Sequence, residues 1–386
     1  MLIKNILKYL NDHRGKMEYF LRWLVLAESP SSVPESQKKI LTLLSEALQR
    51  INCKTQDIPG WGKSGGHLFA TPANRKKNRP YQLLLGHCDT VWPVGTLKEM
   101  PQEIEDGKMK GPGVYDMKAG LAQIIYALKT IDALNLDPEV TPVVFINSDE
   151  ETGSKESTRY IKMLASNANR AFVLEPSLGP TGKLKTTRKG ANRYTITIKG
   201  KAAHAGLDPE GGASAILELS HVIQKLFALN DPEKGITVNV GMIDGGLRPN
   251  VIAPKSKALV DARILTQVDA EAINIKISNL KPQTPGTKII VESGMGRPPL
   301  ENNPRNRAVW ELAKNIGKDL DMELEEGVAG GASDGNTTSL FTATLDGLGA
   351  VGAGAHAEHE HIILDKLIER TALLILLILA PPLPKS

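Results

Sequence analysis

The sequence predicts an α/β fold, a mainly parallel sheet covered by helices, into which a ferredoxin-like α+β unit is inserted. Three observations predict it. Short apolar runs suited to buried strands alternate with helical rhythms as far as residue 174. From residue 193 the pattern changes to polar–apolar alternation and runs in the order β-α-β-β-α-β. From residue 304 helix-then-strand alternation resumes. A chain of 386 residues is also more than one hydrophobic core usually organises. The expected division is a larger domain over 1–184, an inserted domain over 185–295, and the rest of the larger domain over 296–386.

Taken in order, residues 1–55 read as helix, because Phe20, Leu21, Leu24 and Val25, then Ile40, Leu43, Leu44 and Leu48, recur at helical spacing. Gly- and Pro-rich turns lead to a buried strand at 81–86. Residues 120–134 have helical spacing, 141–147 form another buried strand, and a helix over 157–165 precedes a strand at 171–174. The inserted unit begins with the alternating strand 193–199 and continues with a helix over 212–229. Strands at 236–243 and 258–264, a helix over 269–280 and a strand at 288–292 complete it. No internal repeat or low-complexity segment is present.

Composition narrows the function classes. Hydrophobic residues make up 41% and charged residues 23%, the balance of a soluble globular protein. Aromatics at 4% leave few stacking platforms for single-stranded nucleic acid. The net charge of +4 is slight, and only the run 74–79 concentrates it, as a solvated surface loop would. Nucleic acid is therefore not an expected partner. Cys53 and Cys88 are too few for a disulfide framework or a Cys-rich zinc site, and they fit a reducing compartment. The N-terminal stretch lacks the apolar core and cleavage site of a signal peptide. The apolar run 372–380 is too short to span a bilayer and reads as a buried helix ended by Pro381 and Pro382. A soluble cytoplasmic protein with no membrane partner is expected. The loop Gly60-Trp61-Gly62-Lys63-Ser64 ends like a phosphate-binding loop, but Asp57 stands where the earlier glycine is required, so nucleotide binding is not supported.

Ionisable residues cluster after the apolar strands, where open α/β sheets place their sites. In Gly86-His87-Cys88-Asp89-Thr90, His87 and Asp89 point to one face of an extended strand, and a carboxylate there can orient the imidazole toward a metal. Alone, the pair more often has a structural role. Asp116, before the helix at 120–134, is compatible with a plain N-cap. Asp149, Glu150 and Glu151 are three consecutive acids that repel one another unless solvent or a cation separates them. Glu175 adds a carboxylate after another strand, and His356, His359 and His361 crowd a Gly-rich turn. Jointly, His and carboxylate groups without cysteine form the donor mixture expected of a hydrolytic dinuclear zinc site.

The order and spacing of these segments also resemble a known family. His87-x-Asp89, Gly113-x-x-Asp116-Met117-Lys118, Asp149-Glu150-Glu151-x-Gly153 and Glu175-Pro176 are similar to motifs of the zinc-dependent exopeptidases and deacylases. That family includes glutamate carboxypeptidase, acetylornithine deacetylase, succinyl-diaminopimelate desuccinylase and aminoacylase. The resemblance implies two Zn²⁺ per subunit, with Co²⁺ or Mn²⁺ as possible substitutes. It implies that His87 and Glu175 hold one metal, that Glu151 and His356 hold the other, and that Asp116 bridges them. Asp89 would clamp His87, and Glu150 would be the general base. His204, in Lys201-Ala202-Ala203-His204-Ala205-Gly206, resembles the family's oxyanion-stabilising histidine, which acts across a dimer interface of the inserted lid domain. Asn250, Arg263, Arg297, Gly331 and Ser333 fall in segments resembling substrate-binding elements. Guanidinium groups suit a carboxylate there because they form two parallel hydrogen bonds. Ala119 stands where many members have glycine, and the 245–250 turn differs from some glutamate-specific members. The implied substrate is a small peptide or N-acyl amino acid, cleaved at the amide next to a free carboxylate. The implied alternatives are an N-acyl-amino-acid deacylase and a silent member that binds such conjugates. The silent member would have lost the base or the bridge, and both Glu150 and Asp116 are present.

Overall fold

The most apolar runs of the chain become the middle of its largest sheet. Strands Thr141–Asn147 and Arg170–Val173 are buried along their whole length, and Tyr81–His87 at every position after the first. Burial on both faces is what a parallel strand under helices requires. Tyr81–His87 lies between the other two and parallel to both, and Ala343–Leu345 continues the sheet in parallel beside Arg170–Val173. Two antiparallel strands, Cys53–Ile58 and His67–Pro72, complete six strands on the Thr141–Asn147 side. The sheet is thus mainly parallel, as expected.

The computed structural model describes residues 1–76, 78–294 and 296–384. They form two compact units. The first comprises residues 1–186, 302–328 and 333–386, and the second comprises 187–301 with 329–332. Helices Leu2–Asp12, Arg14–Leu26 and Gln37–Gln49 open the first unit. The helical reading of 1–55 therefore needs correcting at its end, where Cys53–Ile58 is a strand. It alternates half-buried and exposed positions without an apolar run, so periodicity gave it little signal. Within the basic run 74–79, Lys76 and Arg79 pair with Asp137 on the surface, while Lys77 lies outside the described residues.

Helix Ala119–Ala133 is buried over most of its length and starts immediately after Lys118. It packs closely on the chain that leaves Arg170–Val173. A Cβ on Gly120 would come within 2.1 Å of the Leu174 carbonyl oxygen. The last helix, Leu364–Leu379, is the apolar segment read as buried, and it ends before Pro381. Its last carbonyls meet Arg170, which is fully buried. The guanidinium donates to Ala380 O at 2.6 Å, Pro381 O at 2.8 Å and Gln82 Oε1 at 2.8 Å. Burial pushes the Arg170 pKa down to about 10. A cation at a helix C-terminus satisfies carbonyls that have no partner within the helix.

The second unit has the β-α-β-β-α-β order read from the sequence. Strands Gly190–Lys199, Thr237–Gly245, Lys255–Ile264 and Lys288–Ser293 alternate with helices Ala215–Phe227 and Gln267–Ser278. All neighbours are antiparallel, with Thr237–Gly245 and Lys288–Ser293 at the edges. The compact unit runs on past residue 295 because Arg297 and Leu300 pair with Ala191 and Arg188. Ala329 joins it by accepting the Lys189 N–H. Among the described residues no helix is long and apolar enough to cross a membrane.

Gly120→Ala is expected to destabilise the protein by about 1–3 kcal/mol through overpacking against a backbone atom. Urea unfolding followed by circular dichroism would check this, and an unchanged midpoint would contradict the packing account.

Candidate metal centre

Parallel pairing brings the acidic and imidazole segments together. His87 is the last residue of its strand and lies in register with Asn147, so the chain leaving each strand starts at the same end of the sheet. Glu150 and Glu151 follow Asn147 through a short 3-10 turn, and Glu175 follows Arg170–Val173. Asp116 sits between Gly113 and the buried helix, and the Asp116–Met117 peptide is cis. His356 lies between the short strands Gly352–Ala353 and His361–Ile363. Its own backbone is left-handed at φ 60°, which is uncommon for a residue other than glycine.

These side chains converge on Asp116. Its Oδ1 is 3.3 Å from His87 Nε2, and its Oδ2 is 3.4 Å from His356 Nε2. His87 Nε2 also lies 3.5 Å from Glu175 Oε1, and His356 Nε2 lies 3.3 Å from Glu151 Oε1. Each oxygen of one carboxylate thus faces a different imidazole, and each imidazole faces a further carboxylate. Donor atoms of His87, Glu150 and Glu175, and of His87, Asp116 and Glu151, lie within 4.8 Å of one another. Ligands at the usual Zn–N and Zn–O lengths around a tetrahedral ion sit about 3.3 Å apart. The observed spacing fits ligands able to share an ion, and it also permits direct imidazole–carboxylate hydrogen bonds. Imidazole and carboxylate donors without thiolate suit zinc, cobalt or manganese.

The electrostatics carry the same message. Burial raises the pKa of Asp116, but hydrogen bonds from His356 and His87 outweigh it and hold the carboxyl below the usual range. Burial opposes charge on His87, yet Asp116 and Asp89 raise its pKa well above the ordinary value. Asp116 and Glu151 push His356 up to about 10. Burial raises Glu151 despite its bond to His356. The carboxylates therefore draw positive charge into the pocket, which protons on the imidazoles or bound cations supply.

Asp89, expected to clamp His87, has its Oδ1 3.4 Å from His87 Nδ1 and also meets the backbone of the acidic turn. Its Oδ1 accepts the Glu150 N–H and its Oδ2 accepts the Glu151 N–H, each at 3.1 Å, while Ser31 Oγ donates to Oδ2 at 2.7 Å. His87 Nδ1 lies 3.0 Å from the Asp89 carbonyl oxygen, which leaves Nε2 facing Asp116 and Glu175. Asp149 turns away from the pocket and accepts the Glu156 and Ser157 N–H groups.

Sequence reasoning missed Glu360. It is fully buried and accepts four donors: the N–H groups of Gly113, Tyr115 and Asp116, and Trp92 Nε1. Burial raises its pKa against those bonds. It stands between His359 and His361, which drew attention as histidines, and no local pattern marks its partners. His361 Nδ1 instead meets the His359 carbonyl at 2.8 Å at the surface. Lys118 was likewise quoted without a role. It is buried, donates to Ala27 O at 3.1 Å, and burial pushes its pKa down to about 8. The phosphate-loop fragment is also accounted for. Trp61 N–H, Lys63 N–H and the Ser64 hydroxyl all donate to Glu156, so a protein carboxylate occupies the donors a phosphate would need.

A model of peptidase family M20/M25/M40 matches residues 83–380, which include every residue of this centre. The chain belongs to that family. As an M20-family metallohydrolase it is 28% identical to carboxypeptidase G2 of Pseudomonas sp. (strain RS-16), over 72% of this chain and 68% of that one. It is 27% identical to succinyl-diaminopimelate desuccinylase of Azoarcus sp. (strain BH72), over 89% and 94% of the two chains. It shares its fold with Bacillus subtilis YXEP, a dinuclear metal-binding peptidase of the M20 family. The TM-score is 0.70 at 14% identity, with 96% of this chain and 98% of that one covered.

The remaining expected residues of this M20-family chain divide between the two units. Ser333 is buried and belongs to the first unit. It caps helix Asp334–Thr338 and donates to Asp346 Oδ2 at 2.6 Å, so its hydroxyl serves the fold. His204, Asn250, Arg263, Arg297 and Gly331 belong to the second unit. There His204 and Asn250 are neighbours, because Ala205 N–H donates to Asn250 O at 3.0 Å and His204 pairs with Val251. The Arg263 guanidinium lies against Asp261, with Nε 2.6 Å from Oδ1 and Nη2 3.2 Å from Oδ2. Gly331 O accepts from Arg188 Nη1 at 3.1 Å.

Glu360→Gln is expected to weaken metal affinity by about 10–100-fold, because an amide has one acceptor oxygen for the three Asp116-loop N–H groups and the Trp92 indole. Competition with a chromophoric chelator would measure it. Unchanged affinity would show that Glu360 serves stability alone.

Proposed function

We propose that this chain is a dinuclear zinc amidohydrolase that cleaves an amide or peptide bond next to a free carboxylate, as a glutamate carboxypeptidase does. The observation that carries the reading is the placement of the Asp116 oxygens, one toward His87 and one toward His356. His87 and Glu175 would hold one metal, Glu151 and His356 the other, and Asp116 both. Zinc ions held there would supply Lewis acidity toward the scissile carbonyl and a water. Glu150 takes the proton of the attacking water and returns it to the leaving amine. Its position supports this role, since its backbone is held by Asp89 and its carboxylate lies beside the His87 and Glu175 donors.

His204 is assigned to the developing oxyanion. Its Nδ1 accepts the N–H groups of Gly206 and Leu207, each at 3.1 Å, which places the proton of the neutral ring on Nε2 as an outward donor. Asn250, Arg297, Arg263 and Gly331 are assigned to the substrate carboxylate and its neighbourhood. Arg263 would exchange Asp261 for that carboxylate. Ser333 would act there only by shaping the turn that follows Gly331. A second reading, an N-acyl-amino-acid deacylase of the desuccinylase type, is favoured by the similarity that spans more of both chains.

The second unit is proposed as a lid through which two copies pair. Its edge strand Thr237–Gly245 exposes Met242 and Ile243, and the following turn exposes Leu247. An exposed apolar edge strand is an association surface unless another chain covers it. A cytoplasmic location is proposed too, supported by two cysteines that form no disulfide.

Three outcomes test this reading. Glu150→Gln is expected to lower kcat by about 10²–10⁴-fold with metal content unchanged. A loss smaller than about tenfold would remove Glu150 as the base. Chelation is expected to abolish turnover and zinc to restore it, and a substrate screen with acyl-glutamates, acyl-ornithine, succinyl-diaminopimelate and dipeptides separates the two readings. Sedimentation is expected to show a dimer, which Ile243→Asp dissociates.

A further inference from the structure

Aromatic residues make up only 4% of the chain, yet Tyr19, Phe20, Trp23 and Tyr126 meet in one groove. It lies in the first unit between helices Arg14–Leu26, Gln37–Gln49 and Ala119–Ala133, and none of its lining belongs to the metal centre. Its volume is about 540 Å³. Small-molecule sites commonly enclose about 300–1,000 Å³. Ile125 and Tyr126 form a buried floor, whereas Tyr19 and Trp23 are 61% and 41% exposed. The rings of Tyr19 and Trp23 lie 6.0 Å apart and nearly perpendicular, so together they form a corner with two aromatic walls. Single exposed aromatics need no explanation, but a clustered set over an open cavity does.

The charges around the groove are one-sided. Lys16, Arg50 and Lys129 line it, and the one carboxylate in the lining, Glu46, is paired with Arg50 at 3.6 Å. The Lys129 ammonium lies 5.2 Å from the centre of the Tyr126 ring. Burial, followed by repulsion from Lys16 and Arg50, lowers the Lys129 pKa. The positive field is therefore incompletely neutralised where the walls are apolar and flat. A ligand complementary to both features carries an aromatic ring and a negative charge.

We propose that this groove is a second small-molecule site, taking an aromatic anion whose ring packs on Trp23 and Tyr19 and whose charge meets Lys16 and Lys129. The site is independent of the hydrolytic reading, because its residues take no part in the metal centre. The helix that supplies Tyr126 and Lys129 begins one residue after Lys118, so occupancy of the groove bears on the same helix that follows the Asp116 loop.

The test is calorimetric titration of the zinc-loaded full-length protein with naphthalene-2-sulfonate. Saturable binding is expected, with Lys16→Glu and Trp23→Ala each weakening it by about tenfold or more through lost charge and lost stacking. Both positions are exposed in part or whole, and circular dichroism and metal content verify that the variants fold. Absence of saturable binding overturns the proposal, as does binding that both variants leave within about twofold of wild type. Wild-type dimers that both variants dissociate also overturn it, since the groove would then be covered by a second copy.

Discussion

The centre of this protein depends on keeping several carboxylates and two imidazoles together, with His87 fully buried and His356 half exposed. Asp116, Glu151 and Glu175 share the end of one sheet with His87 and His356, and Glu150 and Asp89 stand beside them. Like charges at such separations are unfavourable unless positive charge is present. The arrangement resolves this by handing each carboxylate a definite partner. Asp89 spends its oxygens on two backbone N–H groups and a serine hydroxyl, and Glu360 on three N–H groups and an indole. Of those left facing the pocket, Asp116, Glu151 and Glu175 meet imidazole, and there protons or bound cations answer the demand for positive charge.

The three consecutive acids show how position, not residue type, divides the work. Asp149 anchors the start of the following helix through the Glu156 and Ser157 N–H groups. Glu150 and Glu151 are turned toward the pocket by a 3-10 turn whose N–H groups Asp89 accepts. Adjacent residues reach different partners because the chain bends as it leaves the strand, with Gly153 in a left-handed conformation closing the turn. The two strands that bring these groups together are packed on both faces, so the geometry at their ends rests on a close-packed part of the fold.

Much of this was legible in the chain. The buried parallel strands, the helix over Ala119–Ala133 and the alternating strands of the second unit all follow from periodicity, because apolar burial leaves its mark locally. The seven residues around the pocket could be named from their motifs. Strand Cys53–Ile58 could not be read, since an edge strand with polar outward positions leaves no apolar run. Arg170 carries no signal in its local sequence, yet it is the buried partner of three carbonyl groups.

The sequence by itself determined which residues are available for chemistry and on which strands they sit, because those depend on residue type and short-range order. Only the tertiary structure decided how they are held. Glu360 reaches the Asp116 backbone across 244 positions, Glu156 fills the Gly60–Ser64 loop, and Ser333 turns its hydroxyl into a helix cap. Hydrogen bonds between distant segments leave no periodic trace, since a buried polar group needs one partner of suitable geometry and any segment can supply it. The aromatic groove is of the same kind, assembled from three helices, two of which supply rings that are unremarkable until packing sets them side by side.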